Sequence, residues 1–435
     1  MPRMSGMRKR WQRRFCGALG GALMLAASVQ ARAQTGEVQR AADPAEDAYD
    51  KMELLAEVML HIRKNYVEER SLDEIMALAL DGMLHAVDEY SAFLDADEFE
   101  DVRDDTEGRY GGIGIHIGVR GGVLTVIAPI EGTPAYRAGV QSGDRILSID
   151  GTETEGFSLK QAVDRLRGDR GTAVTLRLEP ADGGEARDVQ IVRDVIEVPS
   201  VKGGRLLRDG VGYLRITQFT RPTGELLKQE IESLRARGMT SLVLDLRGNP
   251  GGLLSSAVDV AQLFLRRGKV VVSTRGREGG APEHKALAGG DTRYTEMPVA
   301  ILVNRGSASA SEIVAGALQD YHRAVLVGET TFGKGSVQSV VKLQSDPRQA
   351  IRLTTARYYT PAGRMIHGKG IEPDVPVSMT AAEWRDVQMA RAAKDTPSDF
   401  TPEEARRLAK VVDGQLERAV DLLYAVSVFR SDKDR

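Results

Sequence analysis

Val299–Ala300–Ile301–Leu302–Val303–Asn304–Arg305–Gly306–Ser307–Ala308–Ser309–Ala310–Ser311–Glu312–Ile313 reads as a buried strand that turns through small residues into a helix reaching Leu318. The first five residues are apolar without interruption, as in a strand covered on both faces. Ser309 stands at the junction between two alanines. A serine that attacks a carbonyl needs exposure, room and a base, and small neighbours supply the room. Twenty-five residues on, Lys334 lies between two glycines in Phe332–Gly333–Lys334–Gly335–Ser336–Val337–Gln338. Removing a lysine from water disfavours its charged form, so a desolvated Lys334 can act as that base. Ser-Lys pairs are a known variant of the Ser-His-Asp arrangement. The same residues also have purely structural readings. Ser309 followed by Glu312 is a capping box, and Gly-Lys-Gly makes a solvated loop. On a straight strand Lys334 and Gln338 would stand about 13 Å apart, so they meet only if the chain bends at Gly335.

Residues 196–377 around this stretch alternate strand and helix patterns, which predicts an α/β core. Val211–Ile216, Leu242–Leu246, Ala324–Val327 and Val337–Leu343 read as strands, and Thr223–Arg237 and Leu253–Phe264 as helices. Leu242–Leu246 runs into Arg247–Gly248–Asn249–Pro250–Gly251–Gly252, a glycine turn whose backbone N–H groups can face a ligand. Residues 106–195 differ in character. Glycines 108, 111, 112 and 114 open short alternating strands, Pro134–Val140 reads as a short helix ended by glycine, and Gly143–Gly151 reads as a strand closing in an Asp-Gly turn. Leu159–Leu166 is an amphipathic helix. This order resembles a PDZ domain, in which a peptide adds as a strand to a sheet edge and a glycine-rich loop captures its terminal carboxylate. Tyr110, Gly111, Gly112, Ile113 and Gly114 would form that loop.

Taken together, the serine and lysine segments resemble the carboxyl-terminal processing proteases, periplasmic and chloroplast serine endopeptidases. The likeness extends from about Tyr49 to about Val377 and includes Asp81–Gly82–Met83–Leu84, Tyr90–Ser91–Ala92–Phe93–Leu94 and Asp245–Gly252. It implies a multidomain α/β (α+β) protein: a crotonase/ClpP-like α/β protease core with an inserted PDZ domain and flanking helical regions. It also implies that Ser309 is the nucleophile, Lys334 the general base and Gln338 the residue orienting the lysine, with no cofactor. Within that frame the oxyanion hole is assigned to the N–H of Gly251 or Gly252 together with that of Ala310. Partners would be proteins with exposed carboxyl-terminal tails and, as in some members, an adaptor protein. Arg167 is placed where the PDZ module could reach the protease core and couple binding to cutting.

The ends of the chain complete this organisation. Arg3, Arg8, Lys9, Arg10, Arg13 and Arg14 precede an apolar run from Phe15 to Val29 and an Ala31–Arg32–Ala33 cleavage site. Residues 1–33 therefore read as a secretory signal peptide, too short in its apolar part for a comfortable span, and predict export to the periplasm. They hold seven of the 59 basic residues and no acidic ones, which leaves 52 basic against 62 acidic side chains, a net charge of −10. That balance argues against nucleic acid as a partner. Cys16 is the only cysteine, so residues 34–435 contain neither a catalytic thiol nor a zinc-thiolate site, and the six histidines form no HExxH. Residues 34–105 read as a linker followed by helices over Asp50–Val102. Residues 378–435 read as a charged helical region broken near Pro397 and Pro402, with one apolar stripe through Leu408, Val411, Val412, Leu416, Val420, Leu423 and Val426. That stripe can dock on the core or join subunits, and homo-oligomers are expected. Two rival readings stand beside the protease: a PDZ scaffold without activity, and a Ser-His hydrolase using His322 or His367. Intact Ser309, Lys334 and Gln338 oppose the first, and the absence of G-x-S-x-G around Ser309 opposes the second.

Overall fold

The computed structural model describes residues 44–431 apart from 121, 131, 142, 181–182, 278–282, 291–292 and 396–399. The expected signal peptide, residues 1–33 with its Ala31–Arg32–Ala33 site, lies outside the described residues. The chain divides into two units at Arg70. The first contains the helix Pro44–Asn65, and the second contains everything discussed below.

A six-stranded sheet forms the centre of the second unit. Its order is Val201–Leu206, Val211–Ile216, Ser241–Asp245, Val299–Val303, Val325–Gly328 and Val375–Pro376. The first pair is antiparallel and the remaining pairs are parallel. Ser241–Asp245 and Val299–Val303 are buried at every position. Side chains alternate across a strand, so Leu242, Leu244, Ile301 and Val303 face one side, where they pack with Leu227, Ile231, Val260, Ile313 and Val314 of three helices. Val243, Ala300 and Leu302 face the other side and meet Ala419, Val420 and Leu423 of the helix Gly414–Ser431. The late apolar stripe therefore docks on the core, but not as one surface. Leu408 closes a separate helix, Pro402–Leu408, and Val412 lies exposed in the break before the next.

The second sheet is antiparallel and was only partly foreseen. Ala350–Tyr359 pairs with Ser336–Lys342, Val270–Arg275 and Ala92–Leu94. The last of these corrects the expectation of helix throughout residues 50–102. The Asp88 carboxylate accepts the N–H groups of Tyr90 and Ser91 and the Ser91 hydroxyl, a local turn that competes with helix. Ala92, Phe93 and Leu94 are then all buried as an added strand. A third sheet, Ile115–Arg120, Val123–Pro129, Arg145–Ile149, Ala173–Glu179 and Arg187–Val192, closes with the helix Leu159–Leu166 around its own core. Arg109–Gly112 pairs with Asp194–Glu197, so the chain enters and leaves this module side by side. An inserted domain requires that geometry.

A buried ion network locks the C-terminal helices to the sheet. The Asp245 carboxylate accepts bonds from Arg247, Arg391 and the Tyr213 hydroxyl, and Arg247 also binds Asp413. Burial alone would raise the Asp245 pKa, but the Arg247 and Arg391 guanidinium groups outweigh it and hold the carboxyl well below the usual range. A carboxyl depressed on folding contributes stability above its unfolded value near pH 4, lost as pH falls through the folded value. We predict that Arg247→Met, which leaves the buried Asp245 carboxylate to Arg391 and the Tyr213 hydroxyl alone and strips Asp413 of its two bonds, lowers stability by about 3 kcal/mol. Urea denaturation checks this; a change under about 1 kcal/mol would mean that the network is not cooperative.

Candidate active site

Parallel sheets place their binding clefts outside the carboxyl ends of the strands. Here three neighbouring strands deliver one segment each at that edge. Ser241–Asp245 runs into the glycine turn, Val299–Val303 into Ser309, and Val325–Gly328 into the loop carrying Lys334. Direct bonds knit these segments together. The Ser307 hydroxyl donates to the Leu246 carbonyl at 2.8 Å, Ala308 N–H and the Ser311 hydroxyl both donate to the Asn249 carbonyl, and Phe332 N–H donates to the Ser307 carbonyl at 2.9 Å. The Asn304 side chain accepts from Gly248 and Gly306 N–H groups.

Ser309 is half-buried, and its backbone is strained, with φ 54° and ψ −112°. A non-glycine residue in that region costs of order 1–3 kcal/mol and marks sites where structure enforces geometry. A sharp strand-to-helix turn of this kind lifts a nucleophile clear of its sheet. The enforcing group is Glu312, which sequence reading treated only as half of a capping box. Its side chain is fully buried. One oxygen accepts Ser309 N–H at 2.8 Å and Lys334 N–H at 2.9 Å; the other accepts Gly333 N–H at 2.7 Å and the Thr331 hydroxyl at 2.5 Å. A single carboxylate thereby ties the serine backbone to the lysine loop. Burial raises the Glu312 pKa while these four donors oppose the rise. The sequence signal was present: Glu312 is the one charged residue in Ala310–Leu318.

Lys334 is half-buried. Burial and, secondarily, the Arg352 charge lower its pKa, with Glu89 opposing them. Its ammonium lies 4.6 Å from the centre of the Tyr90 ring, and no hydrogen bond joins it to the Ser309 hydroxyl in this conformation. Tyr90 is thus a neighbour of the site that the spacing of the motifs did not point to. Gln338 enters the strand Ser336–Lys342 at a register shift. Its Nε2 donates to the Thr354 hydroxyl at 2.7 Å, while its Oε1 is buried with no donor. The structure therefore places Ser309 and Lys334 on one knot of backbone, with Gln338 a few residues along the following strand and not bonded to the lysine.

The glycine turn presses against the serine. A Cβ on Gly251, whose φ is 105°, would stand 2.7 Å from the Ser309 Cβ and 3.0 Å from Ala310 N; one on Gly252 would strike the Phe219 carbonyl. Gly251 N–H donates to the Asn249 side chain at 2.8 Å, so it is already used. Gly252 and Ala310 N–H groups find no acceptor among the described residues. In the PDZ-like module, Tyr110, Gly112, Ile113 and Gly114 line a groove of about 260 Å³ with Val163 and Leu166. Tyr110, Gly111 and Gly112 belong to the entry strand, however, and Gly111 packs on the Gly168 carbonyl and does not line the groove. Arg167 lies over the Tyr110 ring and bonds Asp101 at 2.8 Å, so it reaches the helix Ala96–Glu107 and not the protease sheet. That helix in turn bonds the core through Glu107 and Arg221. Among the described residues no group of acidic, histidine or cysteine side chains could hold a metal, and no helix is long and apolar enough to cross a membrane.

Sequence profiles match peptidase family S41 over residues 210–377 and a PDZ domain over residues 125–180. A carboxy-terminal-processing protease of Bartonella bacilliformis is 41% identical over 342 residues, 78% of this chain and 77% of its own. The carboxy-terminal processing protease CtpA of Bacillus subtilis is 33% identical over 342 residues, 78% of this chain and 71% of its own. The crystal structure of a candidate S41 protease from Bacteroides fragilis, 15% identical, aligns over 83% of this chain and 92% of its own with a TM-score of 0.50, a likeness of fold.

Glu312→Gln keeps the volume but replaces one oxygen acceptor by an N–H donor facing N–H donors. We expect at least a hundredfold loss of peptidase activity and a stability loss of about 2 kcal/mol. Activity within threefold of wild type, with an unchanged melt, would show that the carboxylate does not hold the site.

Proposed function

The chain belongs to peptidase family S41 and is a serine-type carboxy-terminal processing protease with a PDZ domain, and from that premise we propose a Ser-Lys mechanism on Ser309 and Lys334. The observation that carries it is Glu312, which binds the backbone N–H groups of both residues with one oxygen. Neutral Lys334 takes the Ser309 proton, and Ser309 attacks the scissile carbonyl. The N–H groups of Gly252 and Ala310, the latter at the positive end of a helix, receive the oxyanion. Lys334 then protonates the leaving amine, and water releases the acyl-enzyme.

The resting conformation must change for this to happen. Lys334 leaves the Tyr90 ring, its Nζ lone pair accepts from the Ser309 hydroxyl, and one of its N–H groups donates to the unsatisfied Oε1 of Gln338, an acceptor that otherwise carries a desolvation cost. Substrate tails dock in the groove beside Val163 and Leu166 by strand addition. Because Arg167 links that groove to the helix Ala96–Glu107, tail binding is transmitted through its Asp101 pair. The protein acts in the periplasm, after export directed by residues 1–33. Exposed Tyr424, Val428 and Phe429 on the C-terminal helix support self-association or an adaptor contact, which sedimentation of residues 34–435 reads directly.

Cleavage of a loosely folded protein in chelator tests the dyad. Ser309→Ala and Lys334→Ala should each lose at least a thousandfold, whereas His322→Ala and His367→Ala retain activity. A lysine base with a lowered pKa works in its neutral form, so activity should rise with pH through that value. A fall between pH 7 and pH 9 with the fold intact would sink the assignment. Arg167→Ala should abolish stimulation of cleavage by added tail peptide; unchanged stimulation would remove Arg167 from the coupling.

A further inference from the structure

A pocket of about 410 Å³ lies between the PDZ domain and the protease sheet. His116 reaches it from the PDZ side, Lys202 and Arg215 from the first two strands of the core, and Arg391 and Asp395 from the helix Ala381–Asp395. Its charge is unbalanced. Arg247 and Arg391 are matched by Asp245 and Asp413, and Arg215 Nη2 bonds Asp395. Lys202 has no carboxylate within ion-pair distance among the described residues. Four cations therefore meet three carboxylates, a surplus of one before His116 is counted. Lys202 is half-buried, and burial, helped by Arg215 and opposed by the more distant charge of Asp395, weakens its hold on its proton. Arg215 Nε–H is buried with no acceptor among the described residues. An orphaned buried donor in a native protein calls for a partner. An ammonium and a guanidinium N–H with one net charge between them match one carboxylate, for which charge-assisted bonds are the strong ones.

The position of the pocket says where such a carboxylate would come from. His116 also lines the PDZ groove, and Gly248, at the other end of the pocket, packs directly on Gly306 in the turn before the serine. The pocket thus lies between the groove and the catalytic edge. We propose that it binds the side-chain carboxylate of an Asp or Glu in the substrate tail, upstream of the terminus held in the groove. This rests on reading the chain as a protease that takes tails into its PDZ domain, and it adds a preference for an acidic residue at one distance from the terminus. A free small acid would offer the same chemistry, so the test separates the two.

The full chain carrying Ser309→Ala is titrated against fluorescent dodecapeptides ending in Val-Leu, with a single Glu moved through positions three to eight from the terminus. Each peptide has a Gln counterpart, and anisotropy reads affinity. At one position Glu should bind about five- to tenfold tighter than Gln. Lys202→Gln should erase that difference while leaving the Gln peptide's affinity intact. Arg215→Lys, which keeps the charge but loses Nε, should reduce it, giving a second variant if the first misfolds. Equal affinity for Glu and Gln at every position overturns the proposal. Calorimetry with succinate provides the other arm: saturable, Lys202-dependent binding of succinate without a Glu preference would assign the pocket to a free acid and overturn the tail assignment. Binding is read without cleavage, so a Glu preference in a chain whose wild type cuts nothing would leave the pocket standing and remove the protease reading. Cleavage with no Glu preference would do the reverse.

Discussion

The site depends on one buried carboxylate. Glu312 accepts four hydrogen bonds from four residues, Ser309, Thr331, Gly333 and Lys334, on the segments that follow two different strands. Without an acceptor, the N–H groups of Ser309, Gly333 and Lys334 that point at this buried side chain would each carry a desolvation cost. With it, their mutual placement becomes the low-energy arrangement, and the strained φ of Ser309 is held in place. The side chain that one would first assign to helix capping is therefore the link between Ser309 and the loop carrying Lys334. The two roles are one geometry, because the carboxylate that caps the Ser309 N–H has a second oxygen and spare lone pairs facing the next loop.

A second layer of constraint lies beneath the glycine turn. Asp245 ends its strand inside an ion network with Arg247, Arg391 and Asp413, which fixes where the strand stops and where Gly248–Gly252 begins. Trp384 covers this network, with the Arg247 and Arg391 guanidinium groups 5.4 and 4.9 Å from its ring centre. The C-terminal helices are thus part of the floor of the catalytic edge. They also form one wall of the interdomain pocket, so the elements that position the turn also set the charge of the path beside it.

The conformation of Lys334 connects structure to activity. Its ammonium rests on Tyr90, a residue of the segment that adds Ala92–Leu94 to the second sheet. Arg352, on the strand paired with that segment, donates to the Tyr90 carbonyl and also repels the lysine charge. The Lys334 ammonium is kept near a ring and near a cation, two surroundings with opposite effects on its charge, and the balance shifts with any movement of this edge of the sheet.

Much of the chain was legible without coordinates, for identifiable reasons. Val299–Val303 is a continuous apolar run, and Leu242–Leu246 and Val211–Ile216 are mainly apolar runs interrupted by Asp245 and by Gly212 and Arg215; the core strands lie where these runs predict them, give or take a residue. Ser158 and Gln161 bracket a capping box that starts the PDZ helix, and Asp150–Gly151 turns with positive φ at both residues. Such features are local, and short-range chemistry determines them. Ala92–Leu94 was not legible, because three apolar residues become a strand only when Ala350–Arg352 is there to pair with them. Nor were the knot at Glu312, the use of Gly251 N–H by Asn249, the Lys334–Tyr90 contact and the cationic pocket. The Glu312–Lys334 link, the Lys334–Tyr90 contact and the pocket join residues far apart in sequence, and the Asn249–Gly251 bond depends on how the glycine turn is seated against Ser309 and Phe219. The sequence alone determined which residues could do the chemistry, since side-chain type and local pattern reside in it. Only the tertiary structure decided which of them meet, because the parallel order of three neighbouring strands brings their carboxyl ends to one edge.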